Sequence, residues 1–334
     1  MISADNEWLK LTEEKAIEAD LPICDPHHHL WYPADGGYTL EEFQRDISGG
    51  HRIVQTVFIE SRKMLKTGVP GEMQPVGETE YICDLLTLNA GRSSPNSKIA
   101  AGIVGFADLT LGAAVAPVLE AHIVLGRERF KGIRYPTTWD TSKEIKSSSA
   151  PGIMSSPEFI EGFSRLQTYS LSFDAWMYYP QLVELANLAA KFPDTPIVID
   201  HTGGPLGIGP YAYASHREAV FHDWKKFMER LAGYSNVYLK LGGLGMELCG
   251  FAWNSLPRPP GSVDLAVHFA PYFLWCIERF GVDRCMFESN FPVDKKSYSY
   301  TVLWNAFKRV VHNFSKTEKQ ALFHNTAARF YRLS

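Results

Sequence analysis

The chain has 334 residues, of which 45% are hydrophobic, 13% aromatic and 21% charged, a mixture that excludes a disordered or fibrous protein and supplies ample apolar surface for a large core. Its 33 basic and 37 acidic residues give a net charge of -4 without a long run of one sign. No field suited to a nucleic-acid backbone or an anionic membrane follows from that pattern, and the expected partner is a small molecule. The five cysteines, Cys24, Cys83, Cys249, Cys276 and Cys285, are odd in number and scattered, which fits a reducing compartment better than a disulfide framework. Residues 1–20 carry Asp5, Glu7, Glu13, Glu14, Glu18 and Asp20 and lack the succession of a signal peptide. No uncharged apolar stretch approaches the ~18 residues of a spanning helix, so a cytoplasmic location is expected.

Taken in chain order, residues 1–20 are predicted to form a helical extension packed on the rest of the chain. Short apolar runs rich in β-branched and aromatic residues then occur at 23–30, 53–61, 99–109, 130–136, 171–178, 196–203, 237–244 and 285–292. Between them lie amphipathic stretches such as 181–191, where Leu182, Val183, Leu185, Ala186, Leu188 and Ala189 share a face, and 216–234 with its mixed charges. Near-continuous apolar strands alternating with helices indicate a parallel sheet buried on both faces. Eight such units predict a (β/α)8 TIM barrel, as a single domain over residues 1–334.

Two long loops interrupt the alternation. Residues 137–157, rich in Ser, Thr and Lys, follow the fourth strand, and 247–263, with Asn254, Pro257, Pro259, Pro260 and Gly261, follow the seventh. Loops of this kind gather at the C-terminal ends of barrel strands, where active sites form, so each is a candidate wall or lid as well as a candidate solvated insertion. Barrel helices look alike whether they face water or a neighbour, and no oligomeric state follows from them.

The densest local signal is Asp25-Pro26-His27-His28-His29-Leu30-Trp31 at the end of the first strand. Residues two apart on a strand point the same way, so His27 and His29 are expected to project together into the barrel mouth and His28 to the other side. Two imidazoles on one face supply half of a metal site or a paired hydrogen-bonding platform for a carbonyl.

This D-x-H-x-H-x-W pattern is accompanied by Arg129-Phe130-Lys131-Gly132-Ile133-Arg134, Phe173-Asp174, Val198-Ile199-Asp200-His201-Thr202-Gly203, Val237 to Leu244 and Met286-Phe287-Glu288-Ser289-Asn290-Phe291-Pro292, and by the C-terminal Asn325 to Tyr331. Together, over nearly the whole chain, these segments resemble the amidohydrolase superfamily, in its lactonase-like "amidohydrolase 2" branch. The resemblance implies a TIM-barrel enzyme whose strand-end groups polarise a carbonyl or activate water. His27 and His29 match the H-x-H pair and His201 the later-strand histidine. Three imidazoles around one point would suit a single zinc ion, although some lactonase relatives work without metal, and both states stay open. A binuclear site would need a strand-four lysine and two later histidines, where this chain has Arg134 and His201 alone.

Other residues are singled out by their chemistry. Asp200 is expected to brace its loop, pointing opposite to His201. Arg134 ends the fourth strand and would grip a substrate carboxylate or an oxyanion, or else pair with Glu60 or Asp174. Glu60 and Lys240 are charges in otherwise apolar strands, so each must meet a partner or reach the polar mouth as a binding residue. Trp176 and Tyr178 are candidate pocket walls. The eighth strand departs from the family's G-S-D-W-P, since Asn290 stands where the carboxylate belongs and cannot take a proton from water. Glu288, two residues earlier and on the same face, would restore the base with its pKa raised by burial, and Asp294 is a second replacement. The reading is a hydrolase that opens a lactone or similar cyclic ester of a small anionic or aromatic substrate. A metal-dependent decarboxylase or carbon–carbon lyase, and a non-catalytic ligand-binding barrel, are the alternatives.

Overall fold

The computed structural model describes residues 6–32, 37–89 and 97–334. Eight parallel strands run in sequence order around a barrel: β1 (Ile23–His28), β2 (Ile53–Ile59), β3 (Lys98–Gly105), β4 (Phe130–Pro136), β5 (Ser172–Trp176), β6 (Ile197–Ile199), β7 (Val237–Leu241) and β8 (Cys285–Phe287). The ring closes where Asn290 N donates to His27 O at 2.9 Å and His29 N donates to Phe291 O at 2.8 Å. One helix follows each strand, beginning with Leu40–Ile47 after β1 and ending with Tyr300–Val310 after β8. The predicted (β/α)8 barrel is therefore the fold.

Every predicted run holds a strand, but all except the fourth leave the ladder before the run ends. The departures have a local cause, since the chain turns there to aim side chains across the barrel mouth. His201 (φ 52°), Thr202 (φ 55°) and Asn290 (φ 54°) all take left-handed backbone, a conformation that costs ~1–3 kcal/mol outside glycine and is held only by its surroundings.

Two packed regions account for the core. The larger lies between sheet and helices. The smaller fills the barrel itself with Cys24, Val57, Ile59, Val104, Val198 and Met286, and Ala327, Phe330 and Tyr331 plug it from the C-terminal segment. One stretch among the described residues, Leu109–Arg129, has the length and hydropathy of a membrane span. Its helix is interrupted at Gly112 (φ 58°, ψ -132°), it carries Glu120, and its Ala116–Gly126 part is the helix that follows β3.

The N-terminal extension does pack on the barrel, but its helix covers only Asn6–Leu9. Tertiary hydrogen bonds override the helical composition of the rest: Ile17 N donates to Asn305 Oδ1 at 2.9 Å, and Lys308 Nζ donates to the carbonyls of Ile17 and Glu18 at 2.9 Å each. Residues 1–5 lie outside the described residues. The loop after β4 is a fastened wall. Tyr178 Oη donates to Lys146 O, Gln181 Nε2 to Trp139 O at 2.7 Å and Tyr211 Oη to Asp140 Oδ2 at 2.8 Å.

His28 points away from its neighbours, as the alternation predicts, and stacks on Phe43 with ring centres 4.1 Å apart. Burial, with the charge of His27, pushes its pKa down to about 3 from 6.5. The unfolded chain thus takes up this proton first. The stability tied to neutral His28 is complete above pH 6.5 and is lost as pH falls toward 3, at up to ~1.4 kcal/mol per pH unit. Urea denaturation of His28→Gln is expected to show a shallower fall in stability between pH 6.5 and 4 than the parent, and equal slopes would reject this account.

Candidate active site

Cross-strand register places the chemistry. Arg134 on β4 pairs with Asp174 on β5, and Lys240 on β7 with Met286 on β8, so all four share the interior face. Lys240 is fully buried, with Nζ 2.7 Å from Asp174 Oδ2, 2.9 Å from Asp200 Oδ1 and 3.2 Å from His27 Nδ1. Tyr331 Oη donates to Asp174 Oδ2 from below at 2.5 Å. Burial lifts Asp174 to about 6 against the pull of Lys240. For Asp200 burial acts upward too, but Lys240 and His27 outweigh it and hold this carboxyl well below the usual range.

Arg134 spends its fork on Glu60: Nε donates to Glu60 Oε1 at 2.8 Å and Nη2 to Glu60 O at 2.6 Å. The expected grip on a substrate carboxylate is thereby occupied, and Arg134 and Glu60 form the ion pair that was the other reading of both residues. The remaining amino group, Nη1, lies 3.2 Å from His27 Nε2. Guanidinium can only donate, so Nε2 of His27 accepts. The neutral ring then carries its proton on Nδ1, toward Glu288 Oε2 at 2.8 Å, and the Lys240 ammonium, 3.2 Å from Nδ1, spends its N–H groups on the nearer Asp174 and Asp200 and not on this ring. Burial, then Lys240, pushes the His27 pKa down to about 4, leaving the ring neutral near pH 7.

Glu288 overturns one expectation. It was to be a base with its pKa raised by burial. Instead Oε1 accepts from both N and Nδ1 of His201 at 2.8 Å each and Oε2 faces His27. Burial pushes upward, but His201 and His27 outweigh it and hold the carboxyl well below its ordinary range. A carboxylate so firmly ionised is a poor proton acceptor and a strong orienting group. It fixes the His201 tautomer with Nδ1 protonated, leaving Nε2 as an acceptor. The Leu241-Gly242-Gly243-Leu244 segment makes room for the pair: a Cβ on Gly243 would sit 2.4 Å from His201 Cβ, and one on Gly242 2.4 Å from Glu288 Cγ.

His29 is held the same way, with Nδ1 donating to Ile59 O at 2.9 Å, so its Nε2 also presents a lone pair. Burial, then Arg134, lowers its pKa well below 6.5. The His29 and His201 rings both pack on His27, at 5.0 and 4.5 Å between centres. Half-buried Trp176 stands edge-on to His201 at 4.7 Å, as a pocket wall would. Tyr178, packed on Trp176 with ring centres 6.0 Å apart, also anchors the loop after β4. Asp294 is tied up as well: Oδ2 accepts from Tyr298 Oη at 2.7 Å and Gly245 N at 3.1 Å, and Oδ1 accepts from Asn290 Nδ2 at 2.9 Å. Burial raises its pKa to about 6, but its oxygens are committed to these donors.

His27, His201 and Glu288 offer ligand atoms that all lie within 4.8 Å of one another. Glu288 thus takes the place that the sequence reading gave to His29. These residues fit a single divalent cation on three grounds. Two imidazoles with one carboxylate are a donor set that zinc accepts. Glu288 Oε2 and both Asp200 oxygens are buried without an aligned hydrogen bond. Finally, four buried carboxylates, Glu60, Asp174, Asp200 and Glu288, face only two fixed cations, Arg134 and Lys240.

Sequence reasoning missed Asp200 as a member of the cluster. Strict alternation turns it away from His201, but β6 ends at Ile199 and the left-handed backbone of His201 lets both side chains face the axis. Asp174 was considered only as a partner of Arg134, and Tyr331 carries no local motif at all. A separate cleft, lined by residues including Cys83, Lys98, Arg127, Lys131 and Arg332, opens around the strand starts at the opposite end and shares none of these groups.

Comparisons agree with this architecture. The family model described as Amidohydrolase (Amidohydro_2) matches residues 24–333. The chain is 34% identical to the uncharacterized protein y4mH of Sinorhizobium fredii, over 94% of this chain and 100% of that one. It is 27% identical to an L-fucono-1,5-lactonase of Burkholderia ambifaria, over 92% and 95% of the two chains. Among solved structures, an amidohydrolase from Burkholderia multivorans with bound zinc superposes with a TM-score of 0.70 at 22% identity, covering 93% of this chain and 99% of that one. With its strand-end histidines, its barrel and a family match running through all eight strands, the chain belongs to the amidohydrolase family and is an enzyme of the hydrolase kind.

Proposed function

We propose that the protein opens a lactone or similar cyclic ester of a small substrate by hydrolysis. The observation that carries this reading is the Glu288–His201 hydrogen bond, which leaves His201 Nε2 as an oriented acceptor at the strand ends beside a second one, Nε2 of His29. His201 takes the proton of the attacking water, with Glu288 stabilising the imidazolium that forms. The water oxygen bonds to the carbonyl carbon, the ring C–O bond breaks, and the imidazolium returns its proton to the leaving alkoxide to give a hydroxy acid. Arg134 donates to His27 Nε2, and burial with the nearby Lys240 charge keeps the ring neutral. A divalent ion held by His27, His201 and Glu288 would occupy the His201 lone pair that otherwise takes the proton, so it would supply Lewis-acid polarisation of the carbonyl in place of the His201 base, not beside it. The likeness to an L-fucono-1,5-lactonase supports a sugar-acid lactone as the first substrate to try.

The test is acid release from L-fucono-1,5-lactone by the purified protein, with metal content measured by elemental analysis before and after chelation and zinc added back. Ring opening that falls at least ~100-fold in His201→Gln, the size expected for loss of a positioned acid–base group, is the expected result. Failure of both the metal-loaded and the stripped protein to open this and other lactones would reject the reading.

A further inference from the structure

Asn290 is a polar side chain, fixed against Asp294, to which the mechanism above gives no role. It is 1% exposed, its backbone is left-handed (φ 54°), and its N–H is committed to closing the barrel on His27 O. Its amide is not free to rotate. Nδ2 donates to Asp294 Oδ1 at 2.9 Å, and Asp294 is itself fixed by Tyr298 and Gly245. An ionised carboxylate can only accept, so the amide nitrogen must face Asp294 and the carbonyl oxygen must face away. That oxygen, Oδ1, is buried and has no hydrogen-bond partner.

A buried acceptor without a donor is costly, and because this amide cannot turn to find one, the cost is relieved when a donor arrives from elsewhere. Water can be one such donor, but it needs two to four polar partners of its own. A carboxylate at position 290 would not serve in the same place. It would sit against Asp294 and share its proton, whereas the amide keeps a neutral acceptor beside an ionised neighbour.

From this arrangement we infer that Asn290 is a specificity-determining residue, its Oδ1 accepting a hydrogen bond from a hydroxyl of the substrate. The inference rests on the lactone reading for the identity of the reacting group, and adds that the ring carries a hydroxyl donor. Rings without one leave Oδ1 unpaired and are rejected. A site built to bind a substrate hydroxyl discriminates strongly against the analogue that lacks it, more strongly than an apolar pocket can sort rings by size.

The test uses non-hydrolysable rings, so that binding is read apart from turnover. L-fucono-1,5-lactam and unsubstituted δ-valerolactam are titrated calorimetrically into the wild-type protein, Asn290→Leu and Asp294→Asn, each checked for folding by thermal melt. The expected result is a preference of at least ~30-fold for the hydroxylated lactam in the wild type, the worth of one buried acceptor left unpaired. That preference should shrink at least ~10-fold in Asn290→Leu through loss of hydroxylated-lactam affinity alone. Asp294→Asn releases the amide to turn and should narrow it as well; this variant decides if Asn290→Leu does not fold. An undiminished preference in the folded variants, equal loss of both lactams, or binding of neither would overturn the assignment. Lactone opening without an Asn290-dependent preference would sink this inference and leave the hydrolase reading standing. The preference without any lactone opening would do the reverse.

Discussion

Glu288→Gln is expected to lower kcat at least ~100-fold with little change in KM, because the carboxylate supports the transition state through His201 rather than holding the ground-state substrate. The wild-type side chain faces only N–H groups: Oε1 accepts from N and Nδ1 of His201, and Oε2 lies 2.8 Å from Nδ1 of His27 without an aligned hydrogen bond. A glutamine offers one acceptor and one donor, so its NH2 must face one of these N–H groups. One imidazole then has to turn or change tautomer. Folding should survive, since losing one of four buried carboxylates reduces the excess of negative charge over Arg134 and Lys240. Initial rates on L-fucono-1,5-lactone, beside a thermal melt, decide the matter. A variant that folds and keeps kcat within about threefold of the parent would show that Glu288 has no part in the chemistry.

The second large effect is on stability. Lys240→Met should cost ~3–5 kcal/mol, the usual scale for removing one partner of a buried ion pair. For a chain of this size that is a fall in Tm of about 4–7 °C. Lys240 lies between Asp174 and Asp200 and is the ammonium that each of them contacts, at 2.7 and 2.9 Å. Without it the two carboxylates confront each other in a space from which water is excluded. Methionine fills most of the volume, so the loss reports charge rather than a cavity. Adding Asp174→Asn to Lys240→Met should recover a substantial part of the loss, because the remaining carboxylate then has a neutral neighbour. Calorimetric melts of the single and double variants test this coupling, and additive losses would refute it.

The parts of the site that were legible in the sequence are those whose signal is local. The His27, His28, His29 run on a strand fixes which rings share a face by a period of two, and the structure keeps that division, with His28 stacked on Phe43 and the other two rings together. Charges in apolar strands announce a need for partners, and Glu60, Arg134 and Lys240 all have them. Which partner each takes was not legible. Arg134 could have met Glu60 or Asp174, and only the stagger of four strands decides that it takes Glu60 while Asp174 goes to Lys240.

Alternation failed where the strands stop. Asp200 and His201 are adjacent, so a strand would send them to opposite sides, yet both reach the axis because His201 leaves the strand in a left-handed conformation. Nothing in residues 196–203 announces that turn; Gly242-Gly243, just past the end of β7, leave the space that His201 enters. The pKa of Glu288 failed for a related reason. Burial alone predicts a raised value, and the sequence shows the burial but not the histidines that come from β1 and from the end of β6 to reverse it.

By itself, then, the sequence determined the barrel, the strand order and the histidines that line its mouth, because periodicity and apolar runs act over a few residues. The tertiary structure decided which carboxylate each cation neutralises, that Glu288 orients His201, and that Asn290 is locked against Asp294. Those outcomes depend on the register of strands far apart in the chain, and at ~3 Å between charged or polar atoms a shift of one residue exchanges every partner.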